Sequence, residues 1–571
     1  MICKQAIPHA GIATRTFTGD QHVSMPTPSR SPITAAHYHP TQPAPYQWDI
    51  PTHFNIAQAA CDRWADGSGR TAIICEDADG SVTTYSYDQL KILSDRFANA
   101  LRAAGVERGD RIGIYLSQRI ETVITHLAAY KLGAITVPLF YLFGPDAIAY
   151  RLDNSGAVAL VTDASGMEKA TLAGELPALK LVFCVESSDL VLPQTTDFWD
   201  RLQAAPAELE PVLTLADDPA MIIYTSGTTG KAKGALHAHR VLLGHLPGVE
   251  VSHDSFPQED DRFWTPADWA WIGGLLDVLL PSLYHGVAVV ARRLEKFDAA
   301  EVFGLLARHQ IRNVFFPPTA LKMLRSATTA RAQGDFSLRS VASGGETLGD
   351  DLIAWGREAL GVTINEFYGQ TECNLVVSSS SHCYPSVSGS MGRAVPGHVV
   401  QIVDEQGQVL PPGAVGNIAI RVPDPVMFLC YWRNEEATRE KFAGDFLLTG
   451  DLGSMDEQGY IRYLGRNDDV ITSAGYRIGP APIEECLMRH PAVRIAAVVG
   501  VKDALRTEVV KAFVVLKDGI TPDEALTAQL QQHVRSQLAA HEYPRLIRFV
   551  EALPTTATGK IMRKTLKEMD Q

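Results

Sequence analysis

A chain of 571 residues is too long for one hydrophobic core and divides into about two or three domains. Its 46% hydrophobic and 20% charged residues are those of a soluble globular protein. The net charge of −14 excludes a general nucleic-acid surface and leaves room only for local basic sites that hold an anionic ligand.

Residues 1–45 are rich in Pro, His, Ser and Thr and lack hydrophobic periodicity, so a disordered extension is expected there. Scarce acidic residues give it a weak likeness to an organelle transit peptide, and Met25 is an alternative start. From about Trp48 helical patterns alternate with short apolar strands. The spacing predicts a helix over 90–104, a strand over 111–116, a helix over 121–132 and a strand over 134–139. The rhythm continues in strands at 158–162, 181–185, 220–224, 287–290 and 313–316, and implies crossover units with mostly parallel strands. No apolar stretch reaches the length of a membrane span; 272–283 is too short and ends at Tyr284-His285-Gly286.

The texture changes near residue 390. A hairpin signal over 399–410 and a strand from Gly416 mark a small, mainly β subdomain over 390–465. The polar run Gly465-Arg466-Asn467-Asp468-Asp469 separates it from a compact α+β pattern: helices over 481–490 and 523–538, strands over 495–500, 511–516 and 546–550. The expected fold is therefore α/β. A large N-terminal domain over 46–465 carries mostly parallel sheets flanked by helices plus the β subdomain, a junction spans 466–469, and a small α+β domain covers 470–571. Eight cysteines without a Cys-x-x-Cys pair are expected as reduced thiols in a cytosol. His237, His239, His382 and Cys383 have no metal-like spacing and are expected to be packed or solvated.

One run carries most of the chemistry. Tyr224-Thr-Ser-Gly-Thr-Thr-Gly-Lys-Ala-Lys-Gly234 follows an apolar strand and supplies hydroxyls from Thr225, Ser226, Thr228 and Thr229. Gly227, Gly230 and Gly234 let backbone amides approach a ligand, and Lys231 and Lys233 add positive charge. Such a loop asks for a polyphosphate. It is no Walker A loop, because only two residues separate Gly227 from Gly230 and Ala232 stands where Ser or Thr belongs. Three further clusters join it: Gly344-Gly345-Glu346 at a strand end, Tyr368-Gly369-Gln370-Thr371-Glu372, and Thr449-Gly450-Asp451.

The order of these motifs, with Ser473-Ala-Gly-Tyr-Arg-Ile-Gly479 and Thr558-Gly-Lys-Ile-Met-Arg563, resembles the adenylate-forming superfamily of acyl-CoA synthetases, luciferases and peptide-synthetase adenylation enzymes. The resemblance covers roughly 50–571 and is closest to short- and medium-chain acyl-CoA synthetases. It implies a two-step reaction. A carboxylate attacks the α-phosphorus of MgATP, giving an acyl-adenylate and pyrophosphate, and the thiol of coenzyme A then displaces AMP. Carried over, the 225–233 loop, with Gly230, Lys231 and Lys233, holds the β- and γ-phosphates. Thr371 contacts the α-phosphate and Glu372 binds Mg²⁺. Gly345, Glu346, Tyr368 and Gln370 belong to the nucleotide site, with Asp451 on the ribose hydroxyls and Arg466 nearby. Lys560 bridges the attacking carboxylate and the α-phosphate as a compact ammonium. The C-terminal domain is implied to rotate about Asp468, bringing Gly475 and Arg477 toward the thioester step.

The acid is argued from Trp271, Ile272, Gly273, Gly344 and Gly369. Acetate enzymes have Thr, Val and a capping Trp where this chain has Gly273, Gly344 and Gly369. Removing that indole is expected to open room for methylenes worth about 0.8 kcal/mol each when buried. A medium-chain fatty acid is preferred over a short-chain one, with aromatic acids such as benzoate as a further alternative. Loading of a carrier protein instead of CoA, and a non-catalytic nucleotide-binding module, are the competing readings. A cytoplasmic location is expected, with an organelle matrix as the alternative carried by the extension.

Overall fold

The computed structural model describes residues 45–186, 195–225, 231–294, 296–327, 335–467, 476–503, 507–538, 542–555 and 561–569, with residues 33, 37, 192, 469 and 471–473 besides. The 1–45 extension thus falls almost wholly outside the described residues.

Strand Arg111–Tyr115 lies between Ile135–Pro138 and Ala159–Thr162, with Leu181–Cys184 beyond, all parallel. Pro219–Thr225 adds to Ile135–Pro138 in parallel and turns back into antiparallel Lys233–Ala238. The phosphate-loop sequence therefore joins two strands of one hairpin, where a Walker-type loop would open a helix. Cys430–Tyr431 pairs with Lys233–Ala238 at one edge and Thr195–Asp197 with Leu181–Cys184 at the other, completing this eight-stranded sheet.

A second, nine-stranded sheet runs in parallel through Thr71–Glu76, Ala288–Ala291, Arg262–Trp264, Asn313–Phe315, Ser340–Gly344 and Ile364–Gln370. Cys373–Ser378 then folds back antiparallel, with a register shift between Tyr368 and Gln370. One core joins the two sheets. Helix Tyr87–Ala103 begins earlier than its apolar spacing predicts, because Ser86 and Gln89 form a reciprocal capping box. Helix Ile120–Lys131 is buried at every position, as a helix covered on all sides must be. Its Lys131 ammonium is held by Asp62 at 2.7 Å and Asp95 at 2.6 Å.

The predicted β subdomain is a five-stranded antiparallel sheet of Val400–Val403, Val415–Arg421, Phe446–Met455, Phe442–Ala443 and Ile461–Arg466. The 399–410 hairpin shrinks to one bridge between Val403 and Val409, because Val400–Val403 takes Val415–Arg421 as its main partner. In the C-terminal part Val493–Asp503 and Thr507–Leu516 form a long antiparallel pair flanked by helices Pro480–Met488 and Glu524–Gln537. Its first helix packs tightly on strand Ile461–Arg466. A Cβ at Gly479 would stand 2.0 Å from Leu464 O, and one at Gly465 would stand 2.8 Å from Pro480 Cδ.

Among the described residues six cysteines are free, whereas Cys430 is disulfide-bonded, which corrects the expectation of reduced thiols. His237 and His239 are fully buried, and burial pushes both imidazoles down to about 3, so they are neutral core residues. No helix among the described residues is long and apolar enough to cross a membrane.

Candidate active site

The hairpin, the turn at 371–372 and the β subdomain converge through side chains far apart in sequence. Thr225 and Lys233 face each other in register at the base of the loop. Ser226, Gly227, Thr228, Thr229 and Gly230 lie outside the described residues. Lys233 Nζ sits 5.2 Å from the Tyr431 ring centroid, and the Tyr431 hydroxyl donates to Glu372 Oε1. Tyr431, delivered by the edge strand, thus links the loop's lysine to the carboxylate. Burial and the Glu372 charge both push its phenol far above the ordinary range, so it remains a donor. Lys231 leaves this cluster and lies 5.4 Å from the Tyr150 ring.

Glu372 occupies the tight turn between Ile364–Gln370 and Cys373–Ser378, with half-buried Thr371 beside it. The backbone of Phe428 donates to Glu372 O at 2.8 Å and fixes that turn against the segment leading to Tyr431. Gln370 accepts from Lys441 Nζ at 2.8 Å and donates to Thr449 O at 3.0 Å. Lys441 also donates to Thr449 O at 3.1 Å. Burial lowers the Lys441 pKa, opposed by the Glu372 and Asp451 charges that it stands between. Tyr431 and Lys441 were not legible beforehand: neither belongs to a motif, and only strand pairing and burial bring them here.

Tyr368 donates to Asp451 Oδ2 at 2.6 Å, the short length of a hydroxyl on a carboxylate. Asp451 is in register with Arg466 across the next strand pair, and Arg466 Nε stands 3.9 Å from Asp451 Oδ1. Gly345 follows strand Ser340–Gly344 with φ +93°, a conformation suited to glycine, and a Cβ there would meet nothing within 4 Å. Bare backbone of this kind suits a flat ring. Glu346 turns instead toward helix Pro318–Ser326, where Thr319 Oγ1 reaches it at 3.2 Å and Lys322 Nζ at 3.9 Å.

The acyl-pocket residues also come together. Trp271, with Ile272 next to it, packs its ring 5.1 Å from Phe140 at the mouth of a π-helical turn, Gly273–Leu279. A Cβ at Gly273 would stand 2.9 Å from Phe315 Cε1, and one at Gly344 would stand 2.6 Å from Phe367 Cε2. Those two rings lie 5.2 Å apart. Gly369 departs from expectation. A Cβ there would stand 2.3 Å from Leu375 N and 2.6 Å from Asn374 Cα. The bulge at 369 folds the returning strand against this position, so glycine answers a close backbone approach and leaves no methylene-sized gap. Gly369→Ala is expected to cost about 1–3 kcal/mol of stability and to slow every acid alike. Thermal unfolding beside an acid series checks this; unchanged stability with preference moved toward acetate would restore position 369 as a pocket floor.

Lys560, Asp468 and Gly475 lie outside the described residues, as does the side chain of Arg477, whose backbone is in strand Tyr476–Ile478. Their surroundings are described. Thr555 and Ile561 pair in a β-bridge on either side of 556–560. Arg563 donates to both oxygens of Glu484 at 2.8 Å and reaches Asp469 Oδ2 at 3.4 Å. The tail that carries Lys560 is thereby tied to the helix resting on strand Ile461–Arg466.

The donor set fits a magnesium ion that arrives with a nucleotide, since one buried carboxylate beside a hydroxyl leaves the remaining ligands to phosphate and water. No group of three His, Cys, Asp or Glu among the described residues is placed to hold a metal by itself.

The chain is similar to known proteins along most of its length. The family model described as AMP-binding enzyme matches residues 61–432, and that of the AMP-binding enzyme C-terminal domain matches 482–560. The chain is 36% identical over 545 residues to the mitochondrial acyl-coenzyme A synthetase ACSM2B of Homo sapiens, covering 92% of each chain. It is 34% identical over 520 residues to the acetyl-coenzyme A synthetase of Bacillus subtilis (strain 168), covering 90% of each. Among solved structures, the anthranilate CoA ligase AuaEII in complex with anthranoyl-AMP is similar with a TM-score of 0.83 at 30% identity, covering 91% of this chain and 98% of that one.

Proposed function

The chain belongs to the AMP-binding enzyme family and is an ATP-dependent, AMP-forming acid–CoA ligase; we propose that its acid is a medium-chain fatty acid. The observation that carries the choice is the wall around Phe315 and Phe367. It is backbone at Gly273 and Gly344, so nothing larger than hydrogen projects from these two positions beside the rings. A pocket bounded by two rings and bare backbone suits an extended apolar chain better than a two-carbon acid.

In the first half-reaction the acid's carboxylate forms a bond to the α-phosphorus of MgATP as the bond to pyrophosphate breaks. The nucleophile is already an anion and needs no base, so positioning and charge neutralisation dominate. Lys233 and the loop from Thr225 hold the leaving pyrophosphate, and Thr371 orients the α-phosphate. Glu372 would hold the magnesium, which would neutralise phosphate charge when bound. Gly345, the Glu346 backbone and Tyr368 line the base, and Asp451, aligned by Tyr368 and Arg466, accepts from the ribose hydroxyls. Gln370 acts through Lys441, which keeps a positive charge between Glu372 and Asp451. Lys560 meets the two reacting anions. In the second half-reaction the CoA thiol displaces AMP, with Gly475 and Arg477 brought up by rotation about Asp468. The cytoplasm is the proposed location.

An acid series from acetate to dodecanoate plus benzoate, scored by AMP release and CoA-thioester mass, tests this reading. The expected maximum lies between hexanoate and decanoate. A maximum at acetate or benzoate would replace the substrate, and transfer to carrier proteins in preference to CoA would replace the acceptor. Absence of acid-dependent AMP release would leave only a nucleotide-binding module.

A further inference from the structure

The acyl wall contains a polar group that adenylation does not use. Asp277, on the π-helical turn Gly273–Leu279, is 2% exposed. Asn374 Nδ2 donates to its Oδ1 at 2.7 Å. The same nitrogen stands 3.3 Å from His245 Nε2. His245 Nδ1 lies 2.8 Å from Val241 O, and a carbonyl only accepts, so the ring proton is on Nδ1 and Nε2 accepts from Asn374. Both amide hydrogens of Asn374 are then spent, and Asp277 Oδ1 is fixed as an acceptor.

Asp277 Oδ2 has no hydrogen-bond partner among the described residues. Burial pushes this carboxyl well above the usual carboxylate range, against the Asn374 bond, and with Oδ1 accepting, the proton belongs on Oδ2. Gly273 shows where that oxygen faces. A Cβ built there would meet the Phe315 ring at 2.9 Å and Asp277 Oδ2 at 3.4 Å. Unlike Asp277, Gly273 is only half-buried, and with no side chain there it lies directly before the enclosed Oδ2. A buried donor left without an acceptor is costly, and an unsubstituted hydrocarbon chain would not relieve it.

We propose that Asp277 reads an oxygen substituent, a hydroxyl or keto oxygen, on the acid chain, so that the preferred substrate is an oxygenated medium-chain acid. This rests on the acid–CoA ligase reading above. A site built to hydrogen-bond a substrate oxygen rejects the analogue lacking it far more strongly than an apolar pocket rejects a missing methylene.

The test compares octanoate with its monohydroxy and oxo isomers on the full-length enzyme, by AMP release and thioester mass. At least one oxygenated isomer is expected to exceed octanoate in kcat/KM by about tenfold or more. Asp277→Leu should erase that difference, bringing kcat/KM for the oxygenated isomer and for octanoate to within about threefold of each other. Asp277→Asn, whose amide keeps a donor at the same place, should preserve the preference. Octanoate outperforming every oxygenated isomer in the unaltered enzyme would overturn the proposal, even if the leucine variant fails to fold. Equal loss on all acids in a folded Asp277→Leu would overturn it too, by making the Asp277–Asn374–His245 chain purely structural. AMP release with no acid at all would overturn the ligase reading, and this inference with it; octanoate alone serving as substrate overturns only the inference.

Discussion

Lys560→Ala is expected to lower acyl-adenylate formation by about 100- to 1,000-fold, with thioester formation from supplied acyl-adenylate staying within about threefold of the unaltered enzyme. The asymmetry follows from charge. When the carboxylate approaches the α-phosphate two anions are forced together, and a compact ammonium between them stabilises the transition state more than either ground state. Displacement of AMP by the thiol brings no second carboxylate into that place. Thr555 and Ile561 pair in a β-bridge, and Arg563 binds Glu484 and Asp469. ATP–pyrophosphate exchange measures the first step, and thioester mass from synthetic acyl-adenylate measures the second. Equal loss in both would reject the role.

Glu372→Gln is expected to reduce adenylation by about 100-fold and to raise the magnesium concentration needed for half-maximal rate. The substitution keeps the shape of the turn and removes only charge. That charge lies buried between Lys441 and the hydroxyl of Tyr431, where an uncharged amide no longer balances the ammonium. Tyr431→Phe is the matching control. It takes away one hydrogen bond and leaves the carboxylate, so a loss of about tenfold or less is expected. Unchanged magnesium dependence in Glu372→Gln would place the metal elsewhere.

Much of the fold is legible in the chain because short-range signals dominate it. The apolar strands before the loop at 226–230 and between crossover helices lie within a residue or two of their expected bounds, since burial on both faces demands continuous apolar runs. The hairpin after Thr225 and the π-helical turn at Gly273 were not expected. Both depend on pairing and packing with elements elsewhere in the chain. The site divides in the same way. Tyr368 and Asp451 each sit in a recognisable cluster, but the bond joining them spans 83 residues of sequence. Tyr431, Lys441 and Asn374 carry no local signal at all. Gly369 was visible and misread, because a missing side chain leaves room only when no other backbone fills its place.

By itself the sequence determined the reaction. It did so through resemblance: the loop at 224–234, the Glu372 cluster, Thr449-Gly450-Asp451 and the segment with Lys560 stand in the order found in adenylate-forming enzymes. Tertiary structure decided how the site is wired: Tyr431 bonds Glu372, Lys441 bonds Gln370 and the Thr449 backbone, and Tyr368 bonds Asp451. It also decided the character of the acyl wall, where backbone closes over Gly369 and Asp277 lies behind Gly273 with one oxygen unpaired. Chemistry repeats as a short pattern because reacting atoms need fixed neighbours. Selectivity belongs to a surface assembled from distant segments, and a surface has no order in the chain.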